Sequence, residues 1–475
     1  MVFPGEQTVM REIAGNCPFC SLACPIILRG GERSPLFGDE GLLQLEWDTR
    51  ADSKYCGSLC ARGNAMVEFV SHPERINYPF VLGERATLEA AVEETAKNLN
   101  AIKNESGSGS IGVLIGDNLT NEEASLALKF ATDILGTDNI ALFAPDDIPV
   151  FRAHLGCDLS GLKATAVKPP GDKEVVLIIG DSLAEHPCTA KEMLVSKHAS
   201  RGSEVIVVSP EANHSAWFAE KHLWCKPGGE AAVAAGLLKA MVGAGTTLTP
   251  ELEKLVGGLG WNEIERLGGV TQDDLDVAAG SLLGAVKVTT FVSNIFGRFG
   301  APGLTALFAE AVTRCCPGET RFTPQFIGQN TWGIYSVLAG ANNNAVLAKL
   351  AGEELKAIVL LGLDLFSAYP AGPVEKALRD KKFTVTTQFF WNQTSTRANV
   401  VIPAASLVEK KGTVSPEFGE DLVRETILPP PGCTVTDGDF IIALAKAMGG
   451  DLSAAATVQR STARGAGCTA LEQDW

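Results

Sequence analysis

Four thiols near the start of the chain have the type and spacing to hold an inorganic cluster: Cys17, Cys20 and Cys24 in NCPFCSLAC, and Cys60 in YCGSLCARG. Short loops keep the first three on one side, and a segment returning after a 35-residue gap closes the site with the fourth. Four cysteine thiolates are the usual ligand set of a [4Fe–4S] cluster. Structural zinc on four cysteines is the competing occupant, but it ordinarily shows two separate C-x2-C knuckles where this chain has a triplet. Cys56 lies four residues before Cys60 and competes for the fourth place. Cys60 is preferred because Gly57 and Ser58 lead into it, and Ala61, Arg62 and Gly63 follow as a turn that can bring a cation to the cluster.

The remaining eight cysteines, Cys56, Cys157, Cys188, Cys225, Cys315, Cys316, Cys433 and Cys468, show no second ligand spacing. In a reducing compartment they read as small buried hydrophobes without disulfides. A chain of 475 residues with 45% hydrophobic and 20% charged residues is globular and long enough for several cores. Its net charge of −16 argues against a nucleic-acid partner, because neutralising phosphates requires clustered Lys and Arg. The first twenty residues carry neither a basic region followed by an apolar core nor a twin-arginine pair. The longest apolar runs, VVLIIG and AIVLLGL, fall far short of the roughly 18 to 20 residues that span a bilayer. The expectation is a soluble cytoplasmic protein that does not itself cross a membrane.

The elements that must position these thiols divide into a short cap and a long α/β body. Residues 1–75 lack long periodic helices and carry Gly-rich turns, which predicts a small β-rich domain around the cluster. Apolar spacings of three and four predict an amphipathic helix over residues 86–103, and NESGSGS reads as a flexible connection after it. IGVLIGDN (111–118), EVVLIIGDS (174–182) and AIVLLGLD (357–364) are each an apolar run ending in Gly with a polar residue beyond. Runs apolar on both faces belong to parallel strands covered by helices. A Gly at the carboxyl end of such a strand allows close backbone approach where open α/β sheets bind ligands, or it simply reverses the chain. EVIVVSP (204–210) and FTVTTQFF (383–390) are two further buried strands. None of the glycine turns is a dinucleotide fingerprint or a P-loop, so NAD and ATP are not expected.

The predicted fold class is therefore α/β: a small N-terminal [4Fe–4S] domain followed by two doubly wound α/β domains with discontinuous segments. The expected boundaries are 1–75 for the cluster domain, 76–140 with 290–450 for the first α/β domain, 141–289 for an inserted Rossmann-like domain, and 451–475 for an extended tail.

In order along the chain, CPFCSLAC, LCARGN, HPERINYP, IIGDSLAEHP and VIVVSPEANHSAWFAEKHLWCKPGGEAA resemble the molybdopterin oxidoreductase superfamily, which includes formate dehydrogenases, nitrate reductases and the large iron–sulfur subunit of complex I. The resemblance continues through NIFGRFGAPG, IGQNTWGIY, LGLDLFSAYP and QFFWNQTSTRANVVIPAASLVEKKGTV. It implies a [4Fe–4S] domain at the mouth of two α/β domains that hold a bis-(molybdopterin guanine dinucleotide) with molybdenum or tungsten. It also implies that Gly180, Ser182 and His186 line one arm of that cofactor, with Ser209, Pro227 and Gly228 near the same arm, while Gly362, Asp364, Gln393 and Thr394 face the other. Arg62 stands where the family commonly has a Lys between cluster and pterin, and it keeps the charge in a forked, permanent form.

Four departures bear on function. Active members supply a Cys, selenocysteine or Ser to the metal from a loop that reads TDNIALFAPDDIPVFRAH here, with Phe143, Ala144 and Pro145 at the expected place and Cys157 and His154 farther along. The family's Asp after the 204–208 strand is Ser209. The usual Asn-Thr-Glu-Gly-Arg stretch after EKKGT is replaced by a segment that brings Glu417, Glu420 and Asp421 to a site meant for phosphates. The chain also stops before the family's C-terminal barrel. The reading preferred on these grounds is an iron–sulfur electron-transfer subunit inside a larger redox complex, with other iron–sulfur or flavin subunits as partners. The alternatives are a catalytic Mo or W subunit of formate dehydrogenase or formylmethanofuran dehydrogenase type completed by another polypeptide, and a purely structural subunit.

The choice of fourth ligand is open to a direct test by low-temperature electron paramagnetic resonance of the reduced protein. Cys60→Ala should abolish the cluster signal and Cys56→Ala should leave it; the reverse pattern would assign the ligand to Cys56.

Overall fold

Strands whose side chains are apolar on both faces must be covered on both faces, and this requirement organises the chain into two parallel sheets. The computed structural model describes residues 11–30, 43–51, 57–142, 173–190, 203–293, 302–338, 343–368, 371–416 and 421–453, together with Leu159 and Leu162. These fall into two compact units, one from the chain before residue 146 and after residue 327, the other from the residues between.

The first unit is built on a seven-stranded sheet in the order Glu84–Arg85, Phe80–Val81, Val400–Pro403, Phe383–Gln388, Ala357–Leu361, Ile111–Ile115, Ile140–Leu142. The last five strands are parallel, and the first two form an antiparallel ribbon on the Val400 edge. Leu114, Ile358 and Leu360 pack on one face against Val346, Leu350, Val374 and Leu378 from the helices Asn343–Ala351 and Ala371–Arg379. On the other face lies the helix Leu88–Ser106, which packs on Asp437–Ala447. Its buried positions, Ala91, Val92, Thr95, Ala96, Leu99 and Ile102, follow the three-and-four spacing seen in the sequence. Thr87 caps it by accepting from the Ala90 amide at 3.2 Å. The stretch predicted as a flexible connection is ordered instead: Asn104, Glu105 and Ser106 continue the helix, Gly107 ends it at φ +81°, and Ser108–Ser110 forms a single tight turn.

A three-stranded antiparallel sheet, Arg11–Asn16, Pro25–Gly30 and Leu43–Trp47, lies in this same unit. Arg75, in HPERINYP, makes a bidentate pair with Glu409 at 2.5 Å with both side chains buried, and its guanidinium stacks 3.9 Å from the Phe389 ring.

The second unit is a five-stranded, all-parallel sheet in the order Lys221–Trp224, Glu204–Ser209, Glu174–Ile179, Lys287–Ser293, Glu319–Gln325. Val175, Leu177 and Ile179 point to one face, where Val233, Leu237 and Met241 of Glu230–Gly243 and Leu304, Leu307 and Phe308 of Pro302–Arg314 cover them. Val176, Ile178 and Phe291 point to the other. The expected return to the first domain at residue 290 is corrected here. Lys287 through Val292 pair with both the Glu174 and the Glu319 strand, so this unit runs to Ile327. The reason is that a parallel neighbour must come from a crossover, and the strand beside Glu174–Ile179 on this side is supplied only after the Glu204–Ser209 and Lys221–Trp224 strands and their helices.

Lys410 is a fully buried charge of the first unit. Its Nζ donates to Asp437 at 2.6 Å and to Glu123 at 3.1 Å. Burial pulls its ammonium down, but the two carboxylates outweigh this and hold it above the usual lysine range. Burial in turn pushes the Glu123 carboxyl up, against the pull of Lys410. Lys410→Met would leave two buried carboxylates without their cation and should cost about 3–5 kcal/mol in denaturant unfolding. The adjacent Lys411→Ala removes only a solvent-exposed pair with Glu425 and should leave the transition almost unmoved.

Candidate functional site

The thiol turn is closed from within. Cys17 N donates to Cys24 O at 2.8 Å, Asn16 Nδ2 donates to Ala23 O at 2.8 Å, and Ala23 takes a left-handed φ of +46° between Cys20 and Cys24. Cys17, Cys20 and Cys24 are all buried. Phe19, between two of them, meets Phe69 edge-on at 5.3 Å, and Phe69 stacks on Phe389 at 4.4 Å, which anchors the turn beside the end of the Phe383–Gln388 strand. Cys60 is half-buried and sits just before the short helix Ala61–Asn64, which carries Arg62, also half-buried. That helix backs onto the turn: a Cβ on Gly63 would lie 3.4 Å from Cys17 Sγ. Cys56 lies outside the described residues.

Among the described residues no three or more His, Cys, Asp or Glu side chains gather closely enough to hold a single metal ion. A cubane spreads its four cysteines over separate corners, so the fit is judged on donor type, burial and charge. Four thiols on two abutting segments, three of them buried, with a buried cation behind Cys17, suit that group. The cation is Arg424, which sequence reasoning missed. It donates to Asn16 O at 2.9 Å and to Gln329 Oε1 at 2.7 Å, and Gln329 donates to Cys17 O at 2.6 Å. The only signal for it was an arginine in an otherwise apolar strand, Leu422–Arg424, just after the segment read as acidic. Of the acidic residues expected there, Asp421 accepts from Ser415 Oγ at 2.6 Å, and Glu417 and Glu420 lie outside the described residues.

The remaining cysteines are mostly inert. Cys188, Cys225, Cys315 and Cys316 are buried, and burial pushes the Cys225 and Cys315 thiols up to about 12 and Cys316 higher still. Cys433 departs from the expectation of burial and is exposed, in a turn whose backbone is held by Asn77 O. Cys157, Cys468, His154, Phe143, Ala144 and Pro145 lie outside the described residues.

Within the second unit, Gly180, Ser182, His186, Ser209, Pro227 and Gly228 all fall at the carboxyl edge of one sheet, after the strands Glu174–Ile179, Glu204–Ser209 and Lys221–Trp224. Gly180, at φ +100°, lies at the point where the strand order reverses, and a Cβ there would meet Ser293 O at 2.8 Å. The side chains beside it face inward. Ser182 Oγ bonds Thr189 Oγ1 at 2.9 Å, His186 Nε2 meets Phe326 O at 2.9 Å, and Ser209 Oγ donates to Glu211 O at 2.8 Å with His222 Nε2 also 2.8 Å away. All three are buried, while Pro227 is exposed and Gly228 turns the chain at φ +80°. Asp181, which sequence reasoning passed over, organises this edge: it accepts from Ser215 N, Ser215 Oγ and His214 N at 2.8 to 3.2 Å.

The first unit repeats the arrangement. Gly362 ends the Ala357–Leu361 strand and Gly116 ends Ile111–Ile115, the pair at which the strand order reverses; a Cβ on Gly116 would meet Gly362 O at 2.2 Å. Asp364 accepts from Thr394 Oγ1 at 2.5 Å, Thr394 also accepts from Leu365 N at 2.9 Å, and Gln393 is exposed. The buried Lys410 network reaches this edge: Asp437 accepts from Thr387 Oγ1, which accepts from Gly362 N at 2.7 Å. Between the two strand ends stands Asp117, half-buried with its carboxyl against Gly328, and burial pushes that carboxyl above its ordinary range.

The family model described as Molybdopterin oxidoreductase matches residues 256–447. The chain is 24% identical over 492 residues to the F420-dependent formate dehydrogenase 2 subunit alpha of Methanococcus maripaludis, covering 93% of this chain and 71% of that one. It is 24% identical to the NADPH-Fe(3+) oxidoreductase subunit alpha of Geobacter sulfurreducens, covering 94% of this chain but only 57% of the relative. Among solved structures, acetylene hydratase from Pelobacter acetylenicus superposes with a TM-score of 0.71 at 16% identity, over 92% of this chain and 69% of that one, which is a likeness of fold. The mixed α/β fold with parallel sheets agrees with that likeness.

Because the folded protein binds the Asp117 proton more tightly than the unfolded chain, its stability contribution is full below the ordinary value of 3.8 and is lost as pH rises through the raised value. Asp117→Asn should therefore raise the melting temperature near neutral pH, with the gain vanishing below about pH 4. A gain that persists in acid would mean the carboxyl is not the cause.

Proposed function

We propose that this chain, a member of the molybdopterin oxidoreductase superfamily, is the iron–sulfur electron-transfer subunit of a multi-subunit oxidoreductase, with a [4Fe–4S] cluster on Cys17, Cys20, Cys24 and Cys60. The observation that carries the reading is the closed, buried thiol turn set against the Cys60 helix, with the Arg424 cation behind it. Bound there, the cluster would take up and pass on one electron at a time. The protein's part is to hold the thiolates, keep water away through the Phe19–Phe69–Phe389 stack, and balance their charge. The names of these two relatives, each a subunit alpha, support partner chains, which on this reading are other iron–sulfur or flavin subunits.

The superfamily's own cofactor, a molybdopterin with Mo or W, has weaker support from the side chains at its expected arms. The hydroxyls of Ser182, Ser209 and Thr394 are already engaged inside the protein, so recognition there would fall to backbone and to the exposed Gln393. The glycines kept at both sheet edges, Gly180, Gly228 and Gly362, favour the second reading, a catalytic Mo or W subunit completed by another polypeptide. No helix among the described residues is long and apolar enough to cross a membrane.

Metal analysis of protein purified without oxygen separates these readings. About four Fe per chain with no Mo or W is the expected result. Stoichiometric Mo or W would replace the electron-transfer reading with the catalytic one, and zinc alone would remove both.

A further inference from the structure

Arg424 is buried, and its five donors meet only neutral acceptors: Leu407 O at 3.1 Å, Gln329 Oε1 at 2.7 Å and Asn16 O at 2.9 Å. The other buried lysine and arginine side chains among the described residues are treated differently. Arg75 is paired with Glu409, and Lys410 with Glu123 and Asp437. A buried cation without a carboxylate is costly unless another negative group stands near it. The group on hand is the thiol turn: Asn16, whose carbonyl accepts from Arg424 at 2.9 Å, directly precedes Cys17, and a guanidinium stays cationic at neutral pH. Gln329 bridges Arg424 and Cys17 by accepting from the guanidinium at 2.7 Å and donating to Cys17 O at 2.6 Å.

We propose that Arg424 is the fixed counter-charge of the thiol site, a positioning residue that acts through Asn16, Cys17 and Gln329 to raise the reduction potential of the cluster. The inference rests on the [4Fe–4S] reading above. A four-thiolate cluster gains one negative charge on reduction, so a buried cation favours the reduced form, whereas the half-buried Arg62 is closer to solvent, is more strongly screened and contributes less. Replacing the charge by a neutral side chain lowers the potential, and keeping the charge while changing the donor geometry does not.

The test is a redox titration of the unaltered protein and three variants, followed by electron paramagnetic resonance with iron counted in each sample. Arg424→Gln should shift the reduced-to-oxidised ratio at fixed potential at least tenfold toward oxidised, a fall in midpoint of about 59 mV for one electron. Arg424→Lys should stay close to the unaltered protein. Gln329→Glu places a carboxylate against the guanidinium without removing it and should lower the midpoint as well, which keeps the test decisive if Arg424→Gln does not retain iron. Unmoved midpoints in iron-loaded Arg424→Gln or Gln329→Glu would overturn the proposal, as would an equal fall in Arg424→Lys. Absence of iron from the unaltered protein would instead remove the cluster reading itself, and this proposal with it.

Discussion

Two adjacent residues of opposite charge, Glu409 and Lys410, hold the first unit together. Neither can be buried alone, so each draws a partner from far along the chain: Arg75 reaches Glu409, while Glu123 and Asp437 reach Lys410. The consequence extends to the candidate site. Asp437 holds Thr387, Thr387 holds the amide of Gly362, and Arg75 lies over Phe389, the ring that stacks on Phe69. The sheet edge and the aromatic support of the thiol turn are therefore fixed by the same buried ions.

At both sheet edges the side chains and the backbone divide the work. Ser182, His186, Ser209 and Thr394 turn inward and bond the Thr189 hydroxyl, nearby carbonyls, or the Asp364 carboxylate and Leu365 amide, which rigidifies the loops. The chain turns there at positive φ through Gly180, Gly228 and Gly362. A buried hydroxyl that already has its partners gains little by meeting a ligand, so any recognition at these edges rests on main-chain groups and the few exposed side chains. Asp117 is the exception, a carboxyl in a confined place between two strand ends whose proton affinity is raised by its surroundings.

The thiol turn shows how a short local motif depends on distant residues. Its hydrogen bonds are local, from Cys17 to Cys24 and from Asn16 to Ala23. Its charge environment is not: Gln329 and Arg424 come from segments hundreds of residues later, and only the closure of the Gly412–Val414 and Leu422–Arg424 hairpin brings them together.

The sequence by itself determined what depends on near neighbours. Apolar runs ending in Gly became the strands Ile111–Ile115, Glu174–Ile179 and Ala357–Leu361, because a strand covered on both faces has no polar side to display. The helix at Leu88–Ser106 followed its periodicity, and the cysteine triplet its spacing. Tertiary structure decided the rest. Lys287–Ser293 joined the inserted sheet because the open parallel edge of Glu174–Ile179 needed a partner, a requirement that no local pattern records. NESGSGS became helix and turn because the helix it extends is held by Asp437–Ala447. Arg424 came to lie behind Cys17 because a buried guanidinium must find acceptors, and in this fold those acceptors are Leu407, Gln329 and Asn16.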